Sequence, residues 1–239
     1  MILFVPSLSS RNTVELSLEQ TRHLKAKRIA HSKECITLSD GKYSAQASLS
    51  EGKKSIIATY DSLTELPART VKLTLFFSVI KPDRMSWLIE KAVEIGVDRL
   101  VPIYSDRSQG MHWNKSTSEH LHKVIISACT QSLQLTPPLI QEPLSLEDAV
   151  ALPRGAQELC FFGDLNEQSL SPKQLTLSKE QALHLFIGPE GGWSPKDLEL
   201  LNGHCTPIYY PGPILRTETA CIVLGSMLQG MRLLEKNKS

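Results

Sequence analysis

The sequence predicts a mostly parallel α/β sheet covered by helices on both faces, preceded by a small β-rich domain. Three observations predict it. From Val71 onward, apolar runs of strand length alternate with stretches of helical period. Residues 1–66 instead carry short alternating runs, such as "ECITLSDGKYSAQASLS" (34–50). Between the two textures lies "SLTELPART" (62–70), which reads as a linker broken at Pro67.

In the first region Asp40-Gly41 supplies a hairpin turn between two strands, and one basic helix is predicted in "SLEQTRHLKAKRIA" (17–30). In the second, "VKLTLFFSVI" (71–80) is apolar throughout, as a strand buried on both faces must be. "RMSWLIEKAVEIG" follows as a helix with Met85, Leu88, Ala92 and Ile95 on one stripe and Gly96 as its stop. "RLVPIY" (99–104) is a strand. A helix from about Ser116 to Leu133 comes next, with Ser116 and Glu119 spaced as a capping box. "ELCFFG", "ALHLFIG" and "TPIYYPG" are short strands that each end at a glycine. "WSPKDLELLNG" is a helix capped by Ser194, with Pro195 in its first turn and Gly203 at its end. The last helix, roughly 218–235, sets Ala220, Val223, Leu224, Met227, Leu228 and Met231 on one face.

Bulk properties narrow the function classes. The 239 residues are 41% apolar and 21% charged with net charge +1, ordinary for a globular protein. Residues 1–66 hold nine Lys/Arg against seven Asp/Glu, so bulk charge carries no nucleic-acid signal and any such function rests on local residues. No apolar run approaches the ~20 residues that span a bilayer, so no membrane partner is expected. "MILFVPS" lacks the basic lead-in of a secretion signal. The five cysteines (35, 129, 160, 205, 221) are scattered and odd in number, and are expected to be reduced thiols of a cytoplasmic protein.

Ligands of such sheets sit beyond the carboxyl ends of the strands. Three loops qualify there: "GDLNE" (163–167), "GPEGGW" (188–193) and "PGPILRTET" (211–219). Neither G-x-x-x-x-G-K-S/T nor G-x-G-x-x-G occurs, and Pro189 removes a donor that a phosphate nest would keep. A nucleotide-phosphate enzyme is therefore disfavoured. "ILRTETA" places Arg216 and Glu218 at the start of an apolar helix, where an arginine opposes the helix dipole. An internal pair of Arg216 with Glu218 or Glu190 is the plain structural expectation. His120 and His122, two apart on a helix, face different ways and make no metal site. Trp87, Trp113 and Trp193 are candidates either for base stacking or for packing.

"IGPEGGWSPKDLELL" followed by "PGPILRTETA" resembles the paired signature of the SPOUT-class rRNA methyltransferases, and more narrowly the small-subunit rRNA (uridine-N3)-methyltransferase E family. "KPDRMSWLIEKAVEIGVDRLVPIYSDRS" (81–108) and "RHL…R" (22–28) extend the likeness over nearly the whole chain. The resemblance implies an α/β knotted (SPOUT, trefoil) methyltransferase domain at 71–239, preceded by a small PUA-like β-barrel RNA-binding domain at 1–66. It implies S-adenosyl-L-methionine as cofactor, a homodimer, and small-subunit (16S) ribosomal RNA as partner, within the assembled subunit.

By the same resemblance Gly188, Pro189, Glu190, Gly191 and Gly192, with Gly212, Ile214, Leu215 and Thr217, bind the cofactor. Arg22, His23, Arg28, Arg84, Lys91 and Arg107 face RNA. Arg216 is the expected stabiliser of charge on a deprotonated uridine. Glu218 or Glu190 takes the proton or orients Arg216. Departures from the family pattern are Tyr210-Pro211 before Gly212-Pro213, "TQSLQ" (130–134), Leu3-Phe4 in place of a basic residue, and Pro82 for a common glycine. They motivate a second reading, an RNA-binding or ribosome-assembly protein of the same fold with weakened catalysis. Cofactor binding separates the two.

Overall fold

The computed structural model of the chain describes residues 1–9, 12–26, 35–52, 54–108, 112–152, 155 and 157–234. They form two compact units. One comprises Met1–Arg69 with Ile126–Pro137, the other Thr70–Ile125 with Pro138–Ser239.

The first unit is a sheet of β1 (Ile2–Phe4), β2 (Thr13–Glu15), β3 (Ile36–Ser39), β4 (Tyr43–Glu51), β5 (Ile56–Tyr60) and β6 (Thr64–Glu65), with one helix, α1 (Leu18–Ala26). Strand order is β1-β3-β4-β5-β2, with β6 on β4, and all pairs except β1–β3 are antiparallel. Alternation decides which residues go inside: Ile56, Ala58 and Tyr60 of β5 are buried while Thr59 is exposed. α1 adds Leu24 to this core and leaves Arg22 and His23 exposed. Leu3 also belongs to the core, which is why an apolar residue stands there. The expected linker is partly strand. Thr64–Glu65 pairs with Tyr43–Ser44, and Leu66 donates its N–H to the Lys42 carbonyl.

Asp40 closes the β3–β4 turn as the sequence predicts. One carboxylate oxygen accepts the N–H groups of Lys42 and Tyr43, the other that of Leu8, and Gly41 has φ +85°. Partial burial raises the Asp40 carboxyl, but the backbone donors led by Tyr43 and Leu8 outweigh it and hold it below 3.8.

In the second unit β7 (Leu73–Ser78) is central. The order is β10 (Leu144–Ser145), β8 (Arg99–Tyr104), β7, β12 (Ala182–Ile187), β11 (Glu158–Asp164), β13 (Thr206–Tyr209), all parallel, with β9 (Leu139–Ile140) beside β8. Every residue of β7 is buried, as its apolar run requires. Alternate side chains serve two layers. Phe76, Phe186, Phe162 and Val101 lie in register on one face, with the Phe76 and Phe186 rings stacked at 4.1 Å. They pack with residues of α4 (Leu146–Ala151) and α5 (Pro195–Asn202). α2 (Pro82–Glu94) and α6 (Thr217–Leu233) pack against each other, and α6 covers β7 and β12 from the other face. α3 (Lys115–Ser132) links the units through the chain itself.

Pro82 takes the first turn of α2, where its missing donor is harmless. Ser194 caps α5 as expected, accepting the Asp197 N–H while the Asp197 carboxylate returns the bond. α3 differs from expectation: Asn114 caps it, its Oδ1 accepting from Thr117, and Ser116 lies inside the helix. α6 is rotated from the predicted face. Cys221, Leu224, Gly225, Leu228 and Arg232 are buried, whereas Ala220, Val223, Met227 and Met231 are only half-buried. Small residues let α6 approach closely on a side that hydropathy alone does not mark. The cysteine expectation is also corrected. Cys160 and Cys205 form a disulfide, because the β11–β13 register sets Phe161 against Thr206 and so brings their preceding residues side by side. Strands β9 and β10 and helix α4 are too short to have shown a period.

Asp40→Asn is expected to cost about 1–3 kcal/mol in urea unfolding at pH 7, since donors in the turn lose a charged acceptor. A carboxyl held low in the folded chain adds stability above its unfolded pKa of about 3.8, lost as pH falls through the folded value. The gap between wild type and variant should therefore close on acidification below about pH 4; a constant gap would refute this assignment.

Candidate active site

β11, β12 and β13 run parallel and adjacent, so their carboxyl ends open on one edge of the sheet. The three glycine-bearing loops that leave them meet there. Thr217, the first residue of α6, donates its hydroxyl to the Gly188 carbonyl at 2.9 Å. Trp193 donates its indole N–H to the Gly163 carbonyl at 2.9 Å. Arg107, just past β8, donates to the carbonyls of Gly191 (3.0 Å) and Trp193 (3.3 Å). Segments remote in sequence are thus tied by side-chain donors to main-chain oxygens that a loop would otherwise leave to water.

Two glycines have a specific reason. A Cβ on Gly188 would sit 2.9 Å from the Trp193 ring, so only glycine lets the indole lie flat beneath the loop. Gly192 has φ +69° and closes a turn by donating its N–H to the Pro189 carbonyl at 2.9 Å.

Between these loops lies a crevice of about 550 Å³. Gly188, Pro189, Glu190, Gly191 and Gly192 line it, as do Gly212, Ile214, Leu215 and Thr217, so every sequence-predicted cofactor residue meets here. Arg107 is on its wall. Its guanidinium braces the glycine loop, a positioning role that its reading as an RNA contact missed. Asp164, Leu165 and Glu167 of the "GDLNE" loop, a candidate by position with no residue assigned, also line the crevice, as do Tyr209 at the end of β13 and Tyr210 after it. The strand ending at Gly163 was the available signal. Pro211 leaves no gap in the wall, because Tyr210 lines it and its ring lies against Gly212.

The charges differ from expectation. Arg216 stands at the N-terminus of α6, exposed, and among the described residues no ion pair joins it to Glu218 or Glu190. Arg84 is their partner instead: its Nη1 pairs with Glu190, and its Nε lies 3.9 Å from Glu218. α2 runs beside α6, so Arg84 reaches inward, whereas Arg216 precedes the first turn and projects from it. Glu218 is buried. Lys91 pairs on its own helix with Glu90 and Glu94, both at 2.8 Å, and those bonds, Glu90 first, push its ammonium up from 10.5. Arg28 lies outside the described residues. Trp193 is buried, Trp113 is half-buried and bonded to Ser118, and Trp87 is exposed. Cys221 beneath Glu218 is raised well above 9.0, by burial first and by the Glu218 charge second, and is an inert thiol.

The wall holds the carboxylates of Asp164, Glu167 and Glu190 against one arginine already bonded to carbonyls. An anionic phosphate has no cationic nest here. A ligand with positive charge and an apolar or aromatic body fits.

Residues 67–229 match the RNA methyltransferase domain family. The chain belongs to this family. It is 28% identical over 185 residues to the ribosomal RNA small subunit methyltransferase E of Rickettsia conorii, spanning 77% of this chain and 74% of the relative. Identity is also 28% over 223 residues to the protein of that name from Aquifex aeolicus, spanning 91% and 94%. The structure is similar to that of a ribosomal RNA small subunit methyltransferase E from Neisseria gonorrhoeae bound to S-adenosyl methionine. The TM-score is 0.84 at 25% identity, covering 97% of each chain. No helix among the described residues is long and apolar enough to cross a membrane, and none of their His, Cys, Asp and Glu side chains cluster as a metal site.

Gly188→Ala is expected to cost about 1–3 kcal/mol in urea unfolding by forcing the Trp193 indole from the loop. Indole fluorescence should shift in the same variant; an unchanged spectrum and midpoint would show that the contact is not tight.

Proposed function

We propose that the chain uses S-adenosyl-L-methionine to methylate N3 of a uridine in small-subunit (16S) ribosomal RNA. The observation that carries this reading is the convergence of the "GPEGGW" and "PGPILRTET" loops on one crevice, joined through Thr217 and lined by carboxylates. The fit is chemical: this donor carries a sulfonium and an ammonium group and no phosphate. When bound, it supplies a methyl group on a cationic sulfur, transferred to a nucleophile as the sulfur keeps the bonding pair. Gly188–Gly192 and Leu215 would hold its body, Tyr210 and Ile214 would exclude water, and Asp164 and Glu167 would face positive charge.

Uridine N3 must give up its proton before it can attack, and the charge then spreads to the flanking carbonyl oxygens. Arg216, exposed at the α6 entry and without a carboxylate partner among the described residues, is the cation we assign to those oxygens. Glu218 is buried and acts on position rather than on the proton. Glu190, the more exposed of the two, is held by Arg84, so it can take the N3 proton only by leaving that pair. Arg22 and His23, exposed on α1, are assigned to RNA together with Arg28.

The first unit is read as a PUA-like barrel that docks RNA, supported by its six-stranded sheet with an exposed basic helix face. The second is read as a trefoil-knotted SPOUT domain. Its support is the path that leaves β13 at the sheet edge and returns through Arg216 to lay α6 on the central β7 and β12. A homodimer packed through that region and a substrate presented by the assembled small subunit in the cytoplasm complete the proposal. In a reducing compartment the Cys160–Cys205 bond would open without loss of the β11–β13 ladder, which backbone bonds carry.

Calorimetry with S-adenosylmethionine, then mass mapping of small-subunit rRNA from cells with and without the gene, tests the reading. No binding at millimolar donor would favour the RNA-binding alternative. Thr217→Val should weaken donor binding by about tenfold, the worth of one hydrogen bond near 1.4 kcal/mol. Arg216→Ala should cut turnover on the order of 100-fold with donor affinity nearly unchanged. Full turnover in that variant would remove Arg216 from the chemistry.

A further inference from the structure

Arg84 joins the two signature segments: its side chain, 28% exposed, is shared by a carboxylate from each. Glu190 lies on the crevice wall. Glu218 sits in the first turn of α6, with its side chain 10% exposed and its Oε2 buried without a hydrogen-bond partner among the described residues. A buried carboxylate in that state depends on its counterion, because an unpaired charge there costs several times what an exposed one does.

The contacts close into a ring. Arg84 binds Glu190; two residues earlier, the Gly188 carbonyl accepts the Thr217 hydroxyl; the next residue, Glu218, returns to Arg84. Arg216 precedes Thr217 directly and caps the same helix. A shift of Glu218 toward water therefore moves the anchor of both Arg216 and the glycine loop.

We infer that Arg84 is a positioning residue for methyl transfer: it neutralises Glu218 and Glu190 together, and through them fixes the α6 entry against the crevice loop. This rests on the transfer reaction proposed above and adds to it a residue that touches neither donor nor RNA. It also replaces the reading of Arg84 as an RNA contact, since a guanidinium held by two carboxylates is already neutralised.

The test is a double-mutant cycle of Arg84→Gln, Glu218→Gln and the pair, with Arg84→Lys as the conservative variant. Substrate is small subunits purified from cells lacking the gene. Arg84→Gln should lower kcat on the order of 100-fold, as misplacement by about an ångström does. Its KM for subunits, and the salt dependence of that KM, should stay within about twofold. The pair should be no slower than Arg84→Gln alone, because residues acting as one unit are not additive. Arg84→Lys should recover part of the rate. Multiplying losses, or a raised subunit KM with kcat intact and a salt slope shallower by about one, would overturn the inference.

Urea unfolding of the same four proteins without ligand gives a second readout. The pair should unfold at higher urea than Arg84→Gln, in which Glu218 is left buried and unpaired. Additive midpoints would sink the ring whatever the chain methylates. Failure of the wild type to bind S-adenosylmethionine would instead sink the proposed function and leave this readout standing.

Discussion

A single hydroxyl holds the site together. Thr217 donates to the Gly188 carbonyl and so joins the loop after β12 to the first turn of α6, two segments that meet only when the sheet is complete. Gly188 and Thr217 both line the crevice, and both neighbour the charged residues that matter most, Glu190 on one side and Arg216 and Glu218 on the other. Arg84, through Glu190 and Glu218, ties the same two segments a second time.

The parallel sheet makes the bond possible. Parallel strands send all their following loops to one edge, and β11, β12 and β13 are neighbours, so three loops converge there without a long excursion by any of them. Burial on both faces keeps the edge rigid: phenylalanines in register fill one layer, and α2 with α6 closes the other. Each loop is then pinned by a side chain from elsewhere, Trp193 to Gly163 and Arg107 to Gly191.

Charge is divided between tasks. Carboxylates line the crevice and suit a cationic donor, while the cations near it are either committed to holding loops or left exposed. Arg107 and Arg84 belong to the first kind, Arg216 to the second. That division separates binding from chemistry: the engaged arginines keep the wall in place, and the exposed one is available to an incoming base.

Much of this was legible from local pattern. β7, the α2 helix that follows it, the Ser194 cap of α5 and the Asp40-Gly41 turn follow from apolar period or capping chemistry, because each is decided by neighbours in the chain. What lies beyond local pattern is which partner each polar group finds. The sequence sets Arg216 two residues from Glu218, yet the carboxylate pairs with Arg84, because α2 packs beside α6 and brings Arg84 to it. Cys160 and Cys205 meet through strand register, and α6 buries Gly225 because Ile95 at the end of α2 packs against it. Short-range propensity names the elements and the loops; ion pairs, disulfides and buried helix faces depend on distances that exist only once the layers have packed.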